Sequence, residues 1–237
     1  MRIAAVVTAA GSGLRLGAEV PKALVLFEGR SLVVWAVVRI ADACDEILVT
    51  APASHLLQFQ EALGGTAALA GKNIRVIAGG ETRQHSVALA LDVLFEDESA
   101  APAVVLVHDA ARAFQDPAVT RAAIAAVVSG ADGAIPVVPV VDTLVESPGR
   151  DGVLGPTVNR DGLRAVQTPQ VFAGSILRAA HLVHADSDAS DDAQLVRAAG
   201  GTLVAVAGHE WGFKVTLASD IPLARHVAQS LLGQEDS

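Results

Sequence analysis

The 237-residue sequence predicts an α/β fold, a doubly wound and mostly parallel sheet with a projecting β-hairpin arm. Three observations predict it. Over the first two-thirds of the chain, β-like runs alternate with helix-like stretches, the order that winds helices onto both faces of one sheet. The β-like runs are continuously apolar rather than alternating, as expected for parallel strands buried on both faces. A glycine-rich loop directly follows the first run, and ligands of open α/β sheets bind beyond the carboxyl ends of the strands.

The strand candidates are Ile3–Val7, Glu46–Thr50, Asn73–Ile77, Val104–Val107 and Gly133–Val138. Between them lie helix candidates at Leu32–Ala41, His55–Leu63, Thr82–Phe95 and Pro117–Val128. Pro117 suits the first turn of its helix, with Asp116 as N-cap. From Val140 to Gly162 the pattern changes: Asp, Ser, Pro and Gly punctuate two short β-like stretches around the turn sequence SPGRDG. This predicts a hairpin arm at about 140–162. An arm that cannot bury its own sides packs on another subunit, or else stands in solvent. Two further helices follow, one at Ser175–Ala185 and one beginning at Ser190, with Asp191 and Asp192 in its first turn where they complement the helix dipole. A strand at Thr202–Ala207 and a helix from Ser219 complete the order, with GQEDS as a frayed tail. All of this is expected to form one domain, residues 1–237.

Composition narrows the function. Apolar residues make up 51% of the chain, enough for a sizeable core, but no run reaches the ~20 apolar residues of a membrane span. The opening MRIAAVVTAAGSG is too briefly apolar for a signal peptide. Cys44 is the single cysteine, which suits a reducing cytoplasm. A formal net charge of −9 and the absence of Tyr argue against nucleic-acid partners, which need a basic footprint and stacking platforms.

The loop TAAGSGLRLG leads into AEVPKAL. Gly11, Gly13 and Gly17 let backbone N–H groups approach an anion. No Gly-Lys-Ser/Thr follows, so this is not a P-loop. Leu16 stands where a dinucleotide fingerprint wants its third glycine, and Pro21 interrupts the helix that motif requires. Arg15 and Lys22 distinguish the loop, because fixed cations there stabilise charge developing at an attacked α-phosphate. AAGSGLRLG…PKAL resembles the signature loop of nucleotidyltransferases that activate small phosphates with an NTP, and the resemblance assigns that role to Arg15 and Lys22.

Further segments resemble the 2-C-methyl-D-erythritol 4-phosphate cytidylyltransferase family. GGETRQHSV (Gly79–Val87) resembles its base-recognition loop, VLVHDAAR (Val105–Arg112) follows the fourth strand, and VVDTL and VNRDGLRAVQTPQ resemble its arm and acceptor segments. SDDAQLV and GFKVT resemble two more, although Gly212 and Phe213 depart from the family's common N-I-K-x-T and Ala113 replaces its usual Pro. The resemblance implies a Rossmann-like nucleotidyltransferase fold and the following sites. Ala9, Ala10, Gly11, Gly13, Gly80, Glu81, Ser86, Asp109 and Ala110 would bind CTP. Arg112, Thr143, Arg160, Thr168 and Lys214 would bind the acceptor phosphate, with Arg160 reaching the partner subunit's site in a homodimer. Arg15, Lys22, Arg160 and Lys214 would be catalytic. Asp109 would meet a ribose or a Mg²⁺ held mainly by the CTP phosphates. Asp191 and Asp192 would face the acceptor's hydroxyls or cap their helix. Arg83 would hold its loop, and His108 would be structural.

The implied reaction is in-line attack by the acceptor phosphate on the α-phosphorus of CTP, with no general base required because the acceptor is already anionic. Ribitol-5-phosphate cytidylyltransferases resemble this family closely and remain an alternative. A nucleotide-binding module without turnover has no need of Arg15, Lys22 and Lys214 together, and an NAD-dependent oxidoreductase is disfavoured by the broken fingerprint.

Overall fold

The computed structural model describes residues 1–11, 20–147, 149, 152–185 and 189–235. Strands and helices follow one another as β1 (Ile3–Thr8), β2 (Leu26–Phe27), β3 (Arg30–Ser31), α1 (Leu32–Ile40), β4 (Glu46–Ala51), α2 (Leu56–Gly64), β5 (Ile74–Ala78) and α3 (Arg83–Leu94). Then come β6 (Val104–Asp109), α4 (Pro117–Val128), β7 (Gly133–Pro139), β8 (Leu144–Val145), β9 (Thr157–Val158), β10 (Arg164–Val166) and β11 (Gln170–Ala173). The chain continues through α5 (Gly174–Val183), α6 (Asp192–Ala198), β12 (Leu203–Ala207) and α7 (Ile221–Glu235).

Among the described residues the main sheet has the order β10-β7-β11-β6-β1-β4-β5, with β12 also paired to β7. β1 runs parallel to β4 and β6, β4 to β5, and β12 to β7. The expected mixed, mostly parallel α/β sheet is therefore present. Neighbouring residues of β1 turn to opposite faces. Ala5 and Val7 pack in a core with Val33 and Val37 of α1, Phe59 of α2 and Ala123 of α4. Ala4 and Val6 pack in another with Leu91 of α3, Leu177 of α5 and Val196 of α6. Helices on both faces are what let β1 be apolar from Ile3 to Val7.

Two features depart from the expected order. No strand was expected between the arm and the helix at Ser175, but β11 lies there, pairs between β6 and β7 and runs antiparallel to both. Its four residues, QVFA, begin with a Gln and sit between a proline and a helix-opening glycine, so no apolar run announces them. α7 also runs to Glu235, through residues expected to fray. The arm contains the expected antiparallel pair, with Leu144 opposite Val158 and Val145 opposite Thr157.

A third cluster fixes the C-terminal segment. Phe27, Leu32, Trp35 and Phe114 meet Val215 and the α7 residues Ala224, Val227 and Leu231. The Phe114 ring lies edge-on to Trp35 at 5.7 Å and beside Phe213 at 6.1 Å, spacings at which aromatic pairs attract. Trp35 Nε1 donates to Phe27 O at 2.9 Å, so the buried indole is satisfied.

Candidate active site

A cleft of about 430 Å³ opens beyond the carboxyl ends of β1 and β6 and the loop after β5. The parallel ladder continues past the strand ends and fixes these loops. Ala9 N donates to Thr50 O (2.9 Å), Gly79 N to Ala51 O (2.8 Å) and Ala110 N to Thr8 O (3.1 Å). Thr8, Ala9, Ala10 and Gly11 line one part of the cleft, Gly80–Arg83 and Ser86 another, and Asp109–Ala111 a third, with Lys22, Ala23, Lys214 and Thr216 completing it.

The loop after β5 is held by its own side chains. Thr82 caps α3 by accepting from His85 N at 3.0 Å. Ser86 Oγ accepts from Gly80 N at 3.1 Å and donates to Thr82 O at 2.9 Å. A Cβ on Gly79 would stand 2.6 Å from Ala10 Cβ, so glycine there lets the two backbone loops of the cleft come together.

Asp109, at the end of β6, is the electrostatic centre. Its Oδ2 lies 2.7 Å from Lys214 Nζ and its Oδ1 lies 3.0 Å from Arg83 Nε. Burial pushes the Asp109 carboxyl up, but Arg83 and Lys214 outweigh burial and hold it well below the usual carboxylate range. Thr8 Oγ1 donates to the same Oδ1 at 3.2 Å. Arg83 also reaches behind the cleft, where its Nη1 lies 2.7 Å from Asp192 Oδ2. Beside Asp109, burial pushes fully buried His108 down to about 4. Its Nδ1 lies 2.9 Å from Thr168 Oγ1, the atom that accepts from Asp109 N at 3.0 Å.

Lys22 lies in a 3-10 turn, Lys22–Leu24, and its Nζ donates to Val215 O at 2.9 Å. Val215 N in turn donates to Ala111 O at 2.8 Å. The two lysines, far apart in sequence, therefore meet at one segment. That segment follows Gly212, where an added Cβ would stand 2.5 Å from Gln115 Nε2 and 2.6 Å from Gln167 Oε1.

Of the residues singled out from the sequence, Ala9, Ala10, Gly11, Lys22, Gly80, Glu81, Ser86, Asp109, Ala110 and Lys214 come together at the cleft. Gly13 and Arg15 lie outside the described residues. Arg112 does not line the cleft: its guanidinium donates to Gly212 O (2.8 Å) and Val166 O (2.9 Å), tying the Lys214 segment to β10. Thr168 is buried behind Asp109. Thr143 and Arg160 lie on the arm, away from this cleft, and Arg160 donates to Val141 O. Asp191 caps α6 by accepting from Gln194 N at 3.0 Å, whereas Asp192 is 1% exposed and faces Arg83 rather than the cleft. Thr8, Ala23, Thr82, Ala111 and Thr216 line the cleft without having been singled out as ligands. Thr8 and Ala111 were accessible through the strand-end rule, since they end β1 and follow β6. The meeting of Arg83 with Asp192 has no local sequence signal.

Among the described residues no group of three or more His, Cys, Asp and Glu is placed to hold a metal alone. Thr8, Glu81 and Asp109 line the cleft, and the side-chain donors they carry are hard oxygens. Such a set fits a cation that takes most of its ligands from substrate phosphates.

The family model of 2-C-methyl-D-erythritol 4-phosphate cytidylyltransferase (IspD) matches residues 3–230. A Saccharopolyspora erythraea relative of that name is 42% identical over 231 residues, 96% of this chain and 99% of its own. A Frankia casuarinae relative of the same name is 43% identical over 225 residues, 94% of this chain and 80% of its own. The crystal structure of the Thermus thermophilus enzyme of that name aligns with a TM-score of 0.75 at 35% identity, covering 97% of this chain and 100% of that one. From the strand-end cleft to the order of its motifs, the chain belongs to the 2-C-methyl-D-erythritol 4-phosphate cytidylyltransferase family.

Proposed function

We propose that the protein transfers CMP from CTP to 2-C-methyl-D-erythritol 4-phosphate, releasing pyrophosphate and forming 4-diphosphocytidyl-2-C-methyl-D-erythritol, a step of the non-mevalonate route to isoprenoid precursors. Family membership supports the substrates. The observation that carries the chemistry is the convergence of Lys22 and Lys214 at a cleft whose buried carboxylate is already ionised.

The cytosine ring is read by the loops Ala9–Gly11 and Gly80–Glu81, which line the cleft. Ser86 Oγ keeps one lone pair after its two bonds within the loop, an acceptor for an exocyclic amine. Lys22, with Arg15 of the same loop, neutralises charge at the triphosphate as the α-phosphorus is attacked. Lys214, oriented by Asp109, draws the acceptor phosphate into line. No proton need be removed, because the attacking phosphate is anionic at neutral pH. Asp109 would share Mg²⁺ with the CTP phosphates; the bound ion supplies charge neutralisation and a template for the leaving pyrophosphate.

The chain works as a single nucleotidyltransferase domain that dimerises through the arm at 140–162. Val141, Val153 and Leu154 are 79%, 65% and 68% exposed, apolar surface that a second copy would cover. In that dimer Arg160 reaches the partner's acceptor site and Thr143 binds the same phosphate, while Arg112 and Thr168 support the site from behind through Gly212 O and Asp109 N. None of the described helices is long and apolar enough to cross a membrane, and a lone cysteine suits work in the cytoplasm.

The deciding experiment is Mg²⁺-dependent pyrophosphate release from CTP, with 2-C-methyl-D-erythritol 4-phosphate and ribitol 5-phosphate as parallel acceptors. Release with the first alone is expected. Release with ribitol phosphate alone would move the acceptor assignment, and release with neither would overturn the enzymatic reading.

A further inference from the structure

We infer that Asp192, which does not line the cleft, is a positioning residue for Lys214, acting through Arg83 and Asp109. The inference rests on the proposed function for its kinetic consequence, though not for its geometry. Four side chains form an unbroken series. Lys214 Nζ stands 2.7 Å from Asp109 Oδ2, Asp109 Oδ1 stands 3.0 Å from Arg83 Nε, and Arg83 Nη1 stands 2.7 Å from Asp192 Oδ2. His181 Nε2 then lies 2.8 Å from Asp192 Oδ1, so both oxygens of that carboxylate are engaged. The series runs from the cleft into the core: the side chains are 43% exposed at Lys214, 11% at Asp109 and 24% at Arg83, but only 1% at Asp192 and 3% at His181.

Helix capping does not account for Asp192. Asp191 already caps α6 by accepting from Gln194 N, and Gln170 Oε1 accepts from Ala193 N at 3.1 Å. The Asp192 side chain turns away from its own helix end and into the core. A buried carboxylate is costly unless it is paired and hydrogen-bonded, and the partners here are a residue of α3 and a residue of α5. Burial pushes the Asp192 carboxyl up, while Arg83 and His181 hold it below its ordinary range, so it keeps its charge.

The consequence lies in how the guanidinium is shared. Arg83 divides its donors between two carboxylates through Nε and Nη1. With Asp192 holding one edge, only Nε is presented to Asp109, and the Asp109 Oδ2 is left to Lys214. Without the Asp192 charge, the planar fork is free to take both oxygens of Asp109, displacing the Lys214 ammonium from its partner. Partners that orient a functional group from behind typically change activity about tenfold to a hundredfold when removed.

Lys22, Lys72 and Lys214 are the lysines of the sequence, so reductive ¹³C-methylation of the intact protein gives few, assignable resonances. Lys214→Arg identifies the Lys214 signal. In Asp192→Asn the Lys214 resonance is expected to shift towards that of a solvated lysine while the Lys72 resonance stays fixed. The unmethylated variant should lose about tenfold or more in kcat with the KM for CTP within about threefold. His181→Gln, which keeps every formal carboxylate charge, should shift the same resonance by less, and it serves where Asp192→Asn fails to fold. A folded Asp192→Asn protein, with an unchanged melting transition, an unmoved Lys214 resonance and unchanged kcat, would overturn the inference and leave Asp192 as a tie between helices. If the wild-type protein turned over no acceptor, the functional reading would fail, while the resonance shift would still decide the inference.

Discussion

Lys22 Nζ donates to the carbonyl of Val215 at 2.9 Å, joining the glycine-rich loop region to the residue beside Lys214. One ammonium thus supports the placement of another, and both stand at a cleft that is otherwise built from strand ends. Lys22→Ala is expected to lower kcat by about a hundredfold or more, the scale of removing one electrostatic donor from a reacting centre. CTP affinity, measured by calorimetry, should fall far less. Equal losses in turnover and affinity would show that Lys22 binds the ground state only.

Arg160 and the exposed apolar side chains of the arm test the dimer. Arg160→Ala should raise the acceptor KM by about tenfold or more, the loss of one charge-assisted phosphate contact, with the KM for CTP unchanged. Leu154→Asp places a charge on a side chain that is 68% exposed in the single chain, so the subunit should fold normally. Light scattering is expected to report a monomer for Leu154→Asp and a dimer for wild type; a wild-type monomer would remove Arg160 from the proposed site.

A side chain at Gly212 would have to displace two buried amides. A Cβ there would meet the amides of Gln115 and Gln167, which are bonded to each other at 3.0 Å and buried. Moving either breaks bonds to Thr168 O or His209 O. Gly212→Ala should therefore cost about 1–3 kcal/mol of stability in urea denaturation, the range of overpacking in a tight core. Because Lys214 lies two residues on, kcat should fall as well. A variant as stable as wild type would mean that the amide pair yields.

Acidification should weaken the fold in two stages. Burial pushes His108 down to about 4, against about 6.5 for an unfolded histidine. The unfolded state therefore binds the proton first, and stability falls as pH drops from about 6.5 to 4, by on the order of 3 kcal/mol. Asp109 and Asp192 are held low in the folded protein, so their contribution is present above about 4 and is lost as pH falls below it. Urea midpoints across this range test both stages. His108→Asn should flatten the upper stage and leave the lower one; an unchanged upper stage would assign it to other groups.

Much of this was legible in the sequence because it is local. The apolar runs of β1, β4 and β6, the Thr82 and Asp116 caps and the glycines of the loops each carry their own signal. β11 was not legible, since its four residues owe their strand to the neighbours on either side. Gly212 and Phe213, which depart from the family's common N-I-K-x-T, stand immediately before Lys214. In the fold, Gly212 makes room for two glutamines and Phe213 lies beside Phe114, so the substituted residues belong to the surroundings they share. The Arg83–Asp192 bridge joins residues 109 positions apart, and nothing in either segment alone points to the other.

The aromatic cluster that clasps Val215 and α7 also dictates the timing of the site during synthesis. Most of the cleft wall, from Thr8 to Ala111, emerges from the ribosome in the first half of translation and can assemble on β1 and β6. Lys214 and the carbonyl that receives Lys22 come some 193 residues after that lysine, and their anchor, α7, later still. A nascent chain lacking α7 would thus carry the loops proposed to read the base but no fixed second ammonium, so the proposed binding surface would form before the proposed reacting centre.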